Sequence, residues 1–262
     1  MTKIIALAGK GGVGKTTLAA LTVTALARLG RAPILAVDAD PNSCLGAALG
    51  VGSVKSIGNL REEAMAAGDP VSSMGMSKRE LLELRIAEGL CEGEDFDLIA
   101  MGRPEGPGCY CYANAVLKDI MGQITDNYPY VVLDNEAGLE NLSRRLAPRA
   151  DLLVLVADPS RQGVETVKRI FDLAGELGIV HDALAVAVNR LRPGPLPPPV
   201  AALRQSLPAY RFIGLPSDED IAARAEAGLP LLDIAEDNPV YAGIRDLLLD
   251  LDESGKPGTN QP

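Results

Sequence analysis

The run Gly9-Lys10-Gly11-Gly12-Val13-Gly14-Lys15-Thr16 constrains this chain more than any other. It fits G-x-x-x-x-G-K-[ST], follows an apolar segment at Lys3–Ala8 and opens a helical pattern at Thr16–Leu29. Strand, loop and helix in that order are the context the motif requires. The glycines let successive backbone N–H groups converge on phosphate oxygens, and the helix N-terminus adds the positive end of its dipole. On this reading Gly9, Gly11, Gly12, Val13 and Gly14 cradle phosphate, with Thr17 counted among the nucleotide-binding residues. Lys15 reaches the β- and γ-phosphates, and the Thr16 hydroxyl ligates Mg2+.

Further short apolar runs recur at Pro33–Val37, Asp97–Met101, Tyr130–Leu133, Asp151–Ala157, Ala183–Val188 and Arg211–Leu215. Several are apolar almost throughout, as strands covered on both faces are. Helical patterns lie between them at Lys78–Gly89, Tyr112–Asn127, Val164–Leu177 and Val200–Ser206. The succession predicts right-handed βαβ units in an α/β P-loop domain with a mainly parallel sheet of seven or eight strands. We read residues 1–252 as one domain, with a Gly-, Ser- and Met-rich insertion at 52–77 and a flexible tail at 253–262.

Composition narrows the partners. A length of 262 residues suits one such domain, and 25 basic against 35 acidic residues leave a net charge of −10. That balance argues against a broad nucleic-acid-binding surface, which needs clustered Lys and Arg. No apolar run approaches the ~20 residues of a membrane span. The opening MTKIIALAGKGG reads as a first strand, not a signal peptide. Four Cys are too few for a disulfide scaffold, so we expect a cytoplasmic protein with reduced thiols.

A second Lys stands inside the loop. By itself Lys10 reads equally as an exposed loop residue or a functional one. The string K-G-G-V-G-K-T-T resembles the deviant Walker A loop of the MinD/ParA/nitrogenase-iron-protein class of dimeric ATPases. The resemblance implies that Lys10 crosses a face-to-face homodimer to the partner's nucleotide and acts with Lys15 in catalysis.

Val37-Asp38-Ala39-Asp40-Pro41-Asn42-Ser43 follows the second apolar run. An Asp at a strand end is often only a turn or cap residue. Two of them here flank one residue at the sheet edge where α/β proteins bind ligands. The run resembles switch I of the same class. That implies that Asp40 orients or deprotonates the attacking water and that Asp38 sits near the Mg2+ shell. The strand Tyr130–Leu133 delivers Asp134, a carboxylate of Walker B type, toward Mg2+ through water. Asn135-Glu136-Ala137-Gly138-Leu139-Glu140 resembles switch II, and Gly138 supplies a backbone able to shift when the γ-phosphate leaves.

A guanine site needs N-K-x-D, whereas this chain has Asn189-Arg190-Leu191-Arg192. Asn189 and Arg190, with Gly214-Leu215-Pro216-Ser217-Asp218, resemble the adenine-contacting elements of the class, Pro216 and Asp218 among them. Asn can pair two ways with an adenine edge. The plain alternative for Asn189 is a strand-terminal turn. The base expected is adenine, with ATP and ADP as the nucleotides.

Gly106-Pro107-Gly108-Cys109-Tyr110-Cys111-Tyr112 carries a C-x-C. Two thiolates at i and i+2 face the same way on extended backbone and supply half of a four-sulfur shell. A two-fold axis beside them would complete it with the same pair from a second chain. Spacing alone leaves this open against a pair of small packed residues. The GxGCYC run, in a deviant Walker chain with DADPNS, is similar to the CooC-type nickel-insertion ATPases of carbon monoxide dehydrogenase, including the AcsF branch linked to acetyl-CoA synthase. That resemblance implies ATP-dependent dimerisation, Ni2+ or Zn2+ held by Cys109 and Cys111 of both chains, and delivery of nickel to the apo enzyme. Cys44 and Tyr112 depart from the family pattern without replacing a ligand or a catalytic group.

Cys44 and Cys91 read as packing residues, and the single His181 as a solvated turn residue. Asp246–Glu253 is too acidic for an interfacial membrane helix and reads as a helix packed on the body. Two rival readings stand beside the metal-delivery one. An iron–sulfur ATPase presents two distant Cys or a C-x-x-C. A positioning ATPase of the ParA/MinD type presents a basic DNA face or a basic tail.

Overall fold

Eight strands form a single sheet: β1 (Lys3–Gly9), β2 (Ile34–Asp38), β3 (Leu90–Cys91), β4 (Phe96–Ala100), β5 (Tyr130–Asp134), β6 (Arg149–Ala157), β7 (Val180–Leu191) and β8 (Arg211–Pro216). Their order is β3-β4-β2-β5-β1-β6-β7-β8. All pairs are parallel except β3 with β4, where Leu90 and Cys91 lie opposite Ile99 and Leu98. The computed structural model describes residues 2–52, 54–60, 78–102, 119–136 and 149–254. The helices are α1 (Lys15–Arg28), α2 (Leu45–Ala48), α3 (Lys78–Gly89), α4 (Arg161–Glu176), α5 (Pro198–Ser206), α6 (Glu219–Ala227) and α7 (Pro239–Ser254). Residues 57–60 and 119–125 are also helical.

The central strands bury both faces, so their side chains divide by parity between two apolar layers. Ala6 and Ala8 of β1 join Leu35, Val37, Val131, Leu133, Leu153 and Leu155 on the side of α4. Ile5 and Leu7 join Ala36, Val132, Leu152 and Val154 on the side of α1 and α7. Helix α1 is buried along nearly its whole length, Leu18 to Leu26. Its two buried hydroxyls are satisfied within the helix, Thr22 donating to Leu18 O at 2.7 Å and Thr24 to Ala20 O at 2.9 Å. A buried helix therefore tolerates them without an orphaned polar group. Helix α4 is capped by Ser160, whose hydroxyl accepts the Gly163 N–H at 3.0 Å.

Seven strands coincide with the apolar runs to within three residues at each end. β7 is longer than its apolar stretch because pairing with β6 carries Val180 and His181 into the ladder. His181 is therefore a half-buried strand residue set edge-on to Phe171, with ring centroids 6.4 Å apart, and not a turn residue. β3 has no signal of its own, since two residues cannot show a period. The insertion read at 52–77 is not wholly peripheral: Ile57 and Leu60 are buried beside Ile86, Ile99 and Met101. Residues 61–77 lie outside the described set. The Tyr112–Asn127 pattern is helical over 119–125, and 112–118 lie outside it. The acidic Asp246–Glu253 run belongs to α7, whose Tyr241, Ile244, Leu247 and Leu248 pack into the body. That helix ends at Ser254, two residues past the boundary expected at 252.

Candidate functional site

Gly9 closes β1, and the next five residues turn back into α1. Gly12 and Gly14 have φ of 79° and 98°, a left-handed backbone that glycine enters without steric cost. A Cβ on Gly9 would meet Val156 O at 2.3 Å, so that position admits no side chain. Gly11 and Gly12 are exposed, Val13 is buried, and Lys15 enters the site almost fully buried. The Lys15 ammonium donates to Lys10 O at 3.2 Å, folding the long side chain back over the loop. Burial pulls its pKa down, opposed by the carboxylates of Asp134, Asp40 and Glu136. Lys10 points elsewhere, its Nζ donating to Gln162 Oε1 at 3.3 Å on an exposed flank.

β2 and β5 are neighbours, and their register puts Asp38 directly beside Asp134. Asp38 Oδ1 accepts the Asp40 N–H at 3.1 Å and Oδ2 the Leu45 N–H at 2.7 Å. Burial nevertheless pushes its carboxyl up to about 6, the two backbone bonds holding it down and Asp40 adding to the rise. Asp40 is half exposed, and its Oδ1 accepts both the backbone and the side-chain N–H of Asn42, at 2.8 and 2.9 Å. Cys44 is exposed next to these acids instead of packed as expected. Partial desolvation and the charges of Asp38, Asp40 and Asp134 hold its thiol above the ordinary range. Cys91 does pack against the apolar layer.

Asp134 is 1% exposed, and neither carboxylate oxygen has a hydrogen-bond partner among the described residues. Burial pushes its pKa up to about 7; the nearby Thr16 hydroxyl and Lys15 ammonium oppose this, while Asp38 and Asp40 reinforce it. Two orphaned buried oxygens beside a Thr hydroxyl are costly unless a donor or a hard cation meets them. The site thus fits Mg2+, with Thr16 and Asp134 as the oxygen donors. Asn135 adds a feature the motif reading did not assign. Its backbone and side-chain N–H groups both donate to Leu7 O, at 3.2 and 3.1 Å, tying β5 to β1 just before the phosphate loop. Its Oδ1 is buried without a partner among the described residues. The sequence offers no signal for this beyond the Asn itself.

At the ends of β7 and β8 the residues expected at the base come together. Thr17, Asn189, Arg190, Pro216 and Asp218 line one cavity of about 100 Å3. Asn189 Nδ2 donates to Val13 O at 2.9 Å, and Arg190 donates to Gly12 O at 3.0 Å. Asp218 caps α6, its Oδ1 accepting the Ile221 N–H at 3.0 Å. A second cavity of about 290 Å3 lies alongside, sharing Thr17 and Ile221 and reaching Thr16, Cys44 and Arg224. The larger hollow of about 580 Å3 is at the opposite edge of the sheet, lined by Thr2, Tyr128 and Arg149, and no motif residue enters it.

Cys109 and Cys111 lie outside the described residues, as does Gly138. Among the described residues no group of three or more His, Cys, Asp or Glu is placed to hold a metal ion. No described helix is long and apolar enough to cross a membrane.

A mainly parallel sheet with a glycine loop at its central strand, a buried Lys and carboxylate oxygens unpartnered among the described residues together define a P-loop ATPase site. Comparison with known proteins narrows the class. The AAA domain model (AAA_31) matches residues 2–179, and the chain belongs to that family, as an ATPase of the MinD/ParA class. It is 39% identical over 253 residues to an uncharacterized ATP-binding protein of Methanocaldococcus jannaschii, covering 93% of this chain and 96% of that one. It is 31% identical over 251 residues to the carbon monoxide dehydrogenase accessory protein CooC of Rhodospirillum rubrum, covering 88% and 90% of the two. The fold matches that of the septum site-determining protein MinD of Pyrococcus horikoshii, a complex with Mg-ADP, with a TM-score of 0.67 at 19% identity over 99% and 100% of the chains.

Proposed function

We propose that this ATPase closes as a homodimer on Mg2+ and ATP, holds Ni2+ or Zn2+ between its two chains, and assists nickel insertion into apo carbon monoxide dehydrogenase or acetyl-CoA synthase in the cytoplasm. The observation that carries the reading is the Cys109-Tyr110-Cys111 run, in a chain related to CooC. Two chains supply four thiolates, a set suited to nickel in a square plane or zinc in a tetrahedron.

In this reading Lys15 holds the β- and γ-phosphates, and Lys10 reaches the partner chain's nucleotide. Asp40 orients the attacking water for slow, in-line hydrolysis. Thr16 holds Mg2+ directly and Asp134 through water, with Asp38 near that shell. Bound there, Mg2+ neutralises charge on the phosphates. Asn189, Arg190, Pro216 and Asp218 surround the adenine. The backbone amides of the loop and the buried Lys15 provide preorganised positive charge where phosphoryl charge develops.

The test is metal content and oligomeric state, with and without ATP, for the anaerobically purified parent and a Cys109→Ala/Cys111→Ala variant. The expected result is a dimer with ATP that carries nickel or zinc, and a variant that dimerises without metal. A parent that dimerises on ATP but carries no metal supports a positioning ATPase instead. Absorbance near about 400 nm from bound iron and sulfide supports an iron–sulfur ATPase.

A further inference from the structure

Two consecutive residues at the end of β7 hold two consecutive carbonyls of the phosphate loop. Asn189 Nδ2 donates to Val13 O at 2.9 Å in a buried bond. The Arg190 guanidinium donates to Gly12 O at 3.0 Å on the exposed side. The pair is braced internally, since Asn189 Oδ1 accepts the Arg190 N–H at 2.9 Å. Arg190 sits at φ 59°, a left-handed backbone that a residue with a Cβ keeps only where its surroundings enforce it. The register between β7 and β8 breaks between Val188 and Leu191, so these two residues are released from the ladder. The Asn189 amide also rests on the loop's last glycine: a Cβ on Gly14 would come within 2.4 Å of Nδ2.

We propose that Asn189 and Arg190 are positioning residues of the phosphate loop, so that the base pocket they line and the phosphate cradle form one mechanical unit. The tether leaves room for base contact. An amide side chain has two N–H hydrogens and an oxygen with two lone pairs, and the tether uses one of each. The proposal rests on the ATP reading above, but a ligand that has phosphates and no base separates the two. A residue that only reads the base contributes nothing to such a ligand. A residue that shapes the loop contributes to it as much as to ATP.

The experiment titrates the parent, Asn189→Ala and Arg190→Ala with Mg2+ and ATP, and separately with Mg2+ and inorganic tripolyphosphate. Asn189→Ala is expected to weaken tripolyphosphate about 10-fold, the scale of leaving a buried carbonyl without its donor, and ATP by at least that factor. Arg190→Ala weakens tripolyphosphate by a smaller factor, because its bond is exposed, and ATP by at least as much. Amide hydrogen exchange supplies the readout that a general loss of stability would not move. In Asn189→Ala the amides of residues 11–14 exchange faster while those of β6 keep their protection. A loss confined to ATP, with tripolyphosphate binding and loop exchange unchanged, overturns the tether and leaves Asn189 a base reader. A parent that fails to bind ATP removes the ATP reading instead.

Discussion

The Leu45 N–H donates to Asp38 Oδ2 at 2.7 Å, so the carboxylate that ends β2 also holds the first turn of α2. The same carboxylate lies beside Asp134 in the register of the two central strands. Neither acid can leave the other without breaking the sheet, which makes the pair a fixed feature of the site.

This pair has a pH signature. The Asp38 and Asp134 carboxyls are pushed up to about 6 and about 7, above the usual range near 4. The folded chain therefore binds more protons than the unfolded chain between about pH 4 and pH 7, and stability falls as pH rises through that window. Asp134→Asn removes a charge that the fold disfavours. In protein free of Mg2+ and nucleotide, the variant's thermal midpoint is expected to exceed the parent's at about pH 8 and to converge with it near pH 5. A constant difference across that range would contradict the assignment.

Asp40 is expected to matter for turnover and not for binding. Its Oδ1 accepts two N–H groups of Asn42, which fixes the turn that carries the carboxylate. Asp40→Ala should bind ATP close to parent affinity and hydrolyse it at least ~10²-fold more slowly, the scale of losing a base or water-positioning group. Turnover within about twofold of the parent would remove Asp40 from that role.

The two lysines of the loop separate by direction. Lys15 is buried on Lys10 O, whereas Lys10 reaches outward to Gln162. Lys15→Ala should abolish nucleotide binding. Lys10→Ala should keep it and weaken ATP-driven dimerisation, measured by sedimentation. Normal dimerisation of the Lys10 variant with ATP would exclude a cross-dimer contact.

The proposed metal site predicts one divalent ion per two chains. Thiolates must lose protons to bind, so affinity should fall with pH. Cys44 stands near three carboxylates, yet its raised thiol pKa disfavours the thiolate that metal binding requires. Cys44→Ser should leave the stoichiometry unchanged, and Cys109→Ser should destroy the site. Equilibrium dialysis that finds one tight ion per chain, or full affinity in Cys109→Ser, would contradict the shared site.

What could be read before the structure was what periodicity and spacing encode. Apolar runs such as Tyr130–Leu133 became central strands because both faces need cover, and the Asp after each of two runs landed at the sheet's C-terminal edge. Contacts between distant backbones have no such code. Nothing in the letters of Val13 and Asn189 announces that an amide will meet a carbonyl 176 residues away. Nor does Leu45 advertise that its N–H will hold a carboxylate. Cys44 was misread because a small apolar residue suits packing, but it follows the turn that Asp40 and Asn42 hold and stands exposed beside the acids.

Helix α6 lies over the nucleotide end of α1, yet none of its residues is buried. It is held by its Asp218 cap and by Arg224, which donates to Pro230 O at 2.8 Å and to Asp233 at 2.6 Å. Lifting it uncovers little apolar surface, whereas the phosphate loop springs from β1, which is paired on both sides by β5 and β6. The consequence is local: α6 can open without disturbing the core, so its amides are expected to exchange with solvent faster than those of the buried α1.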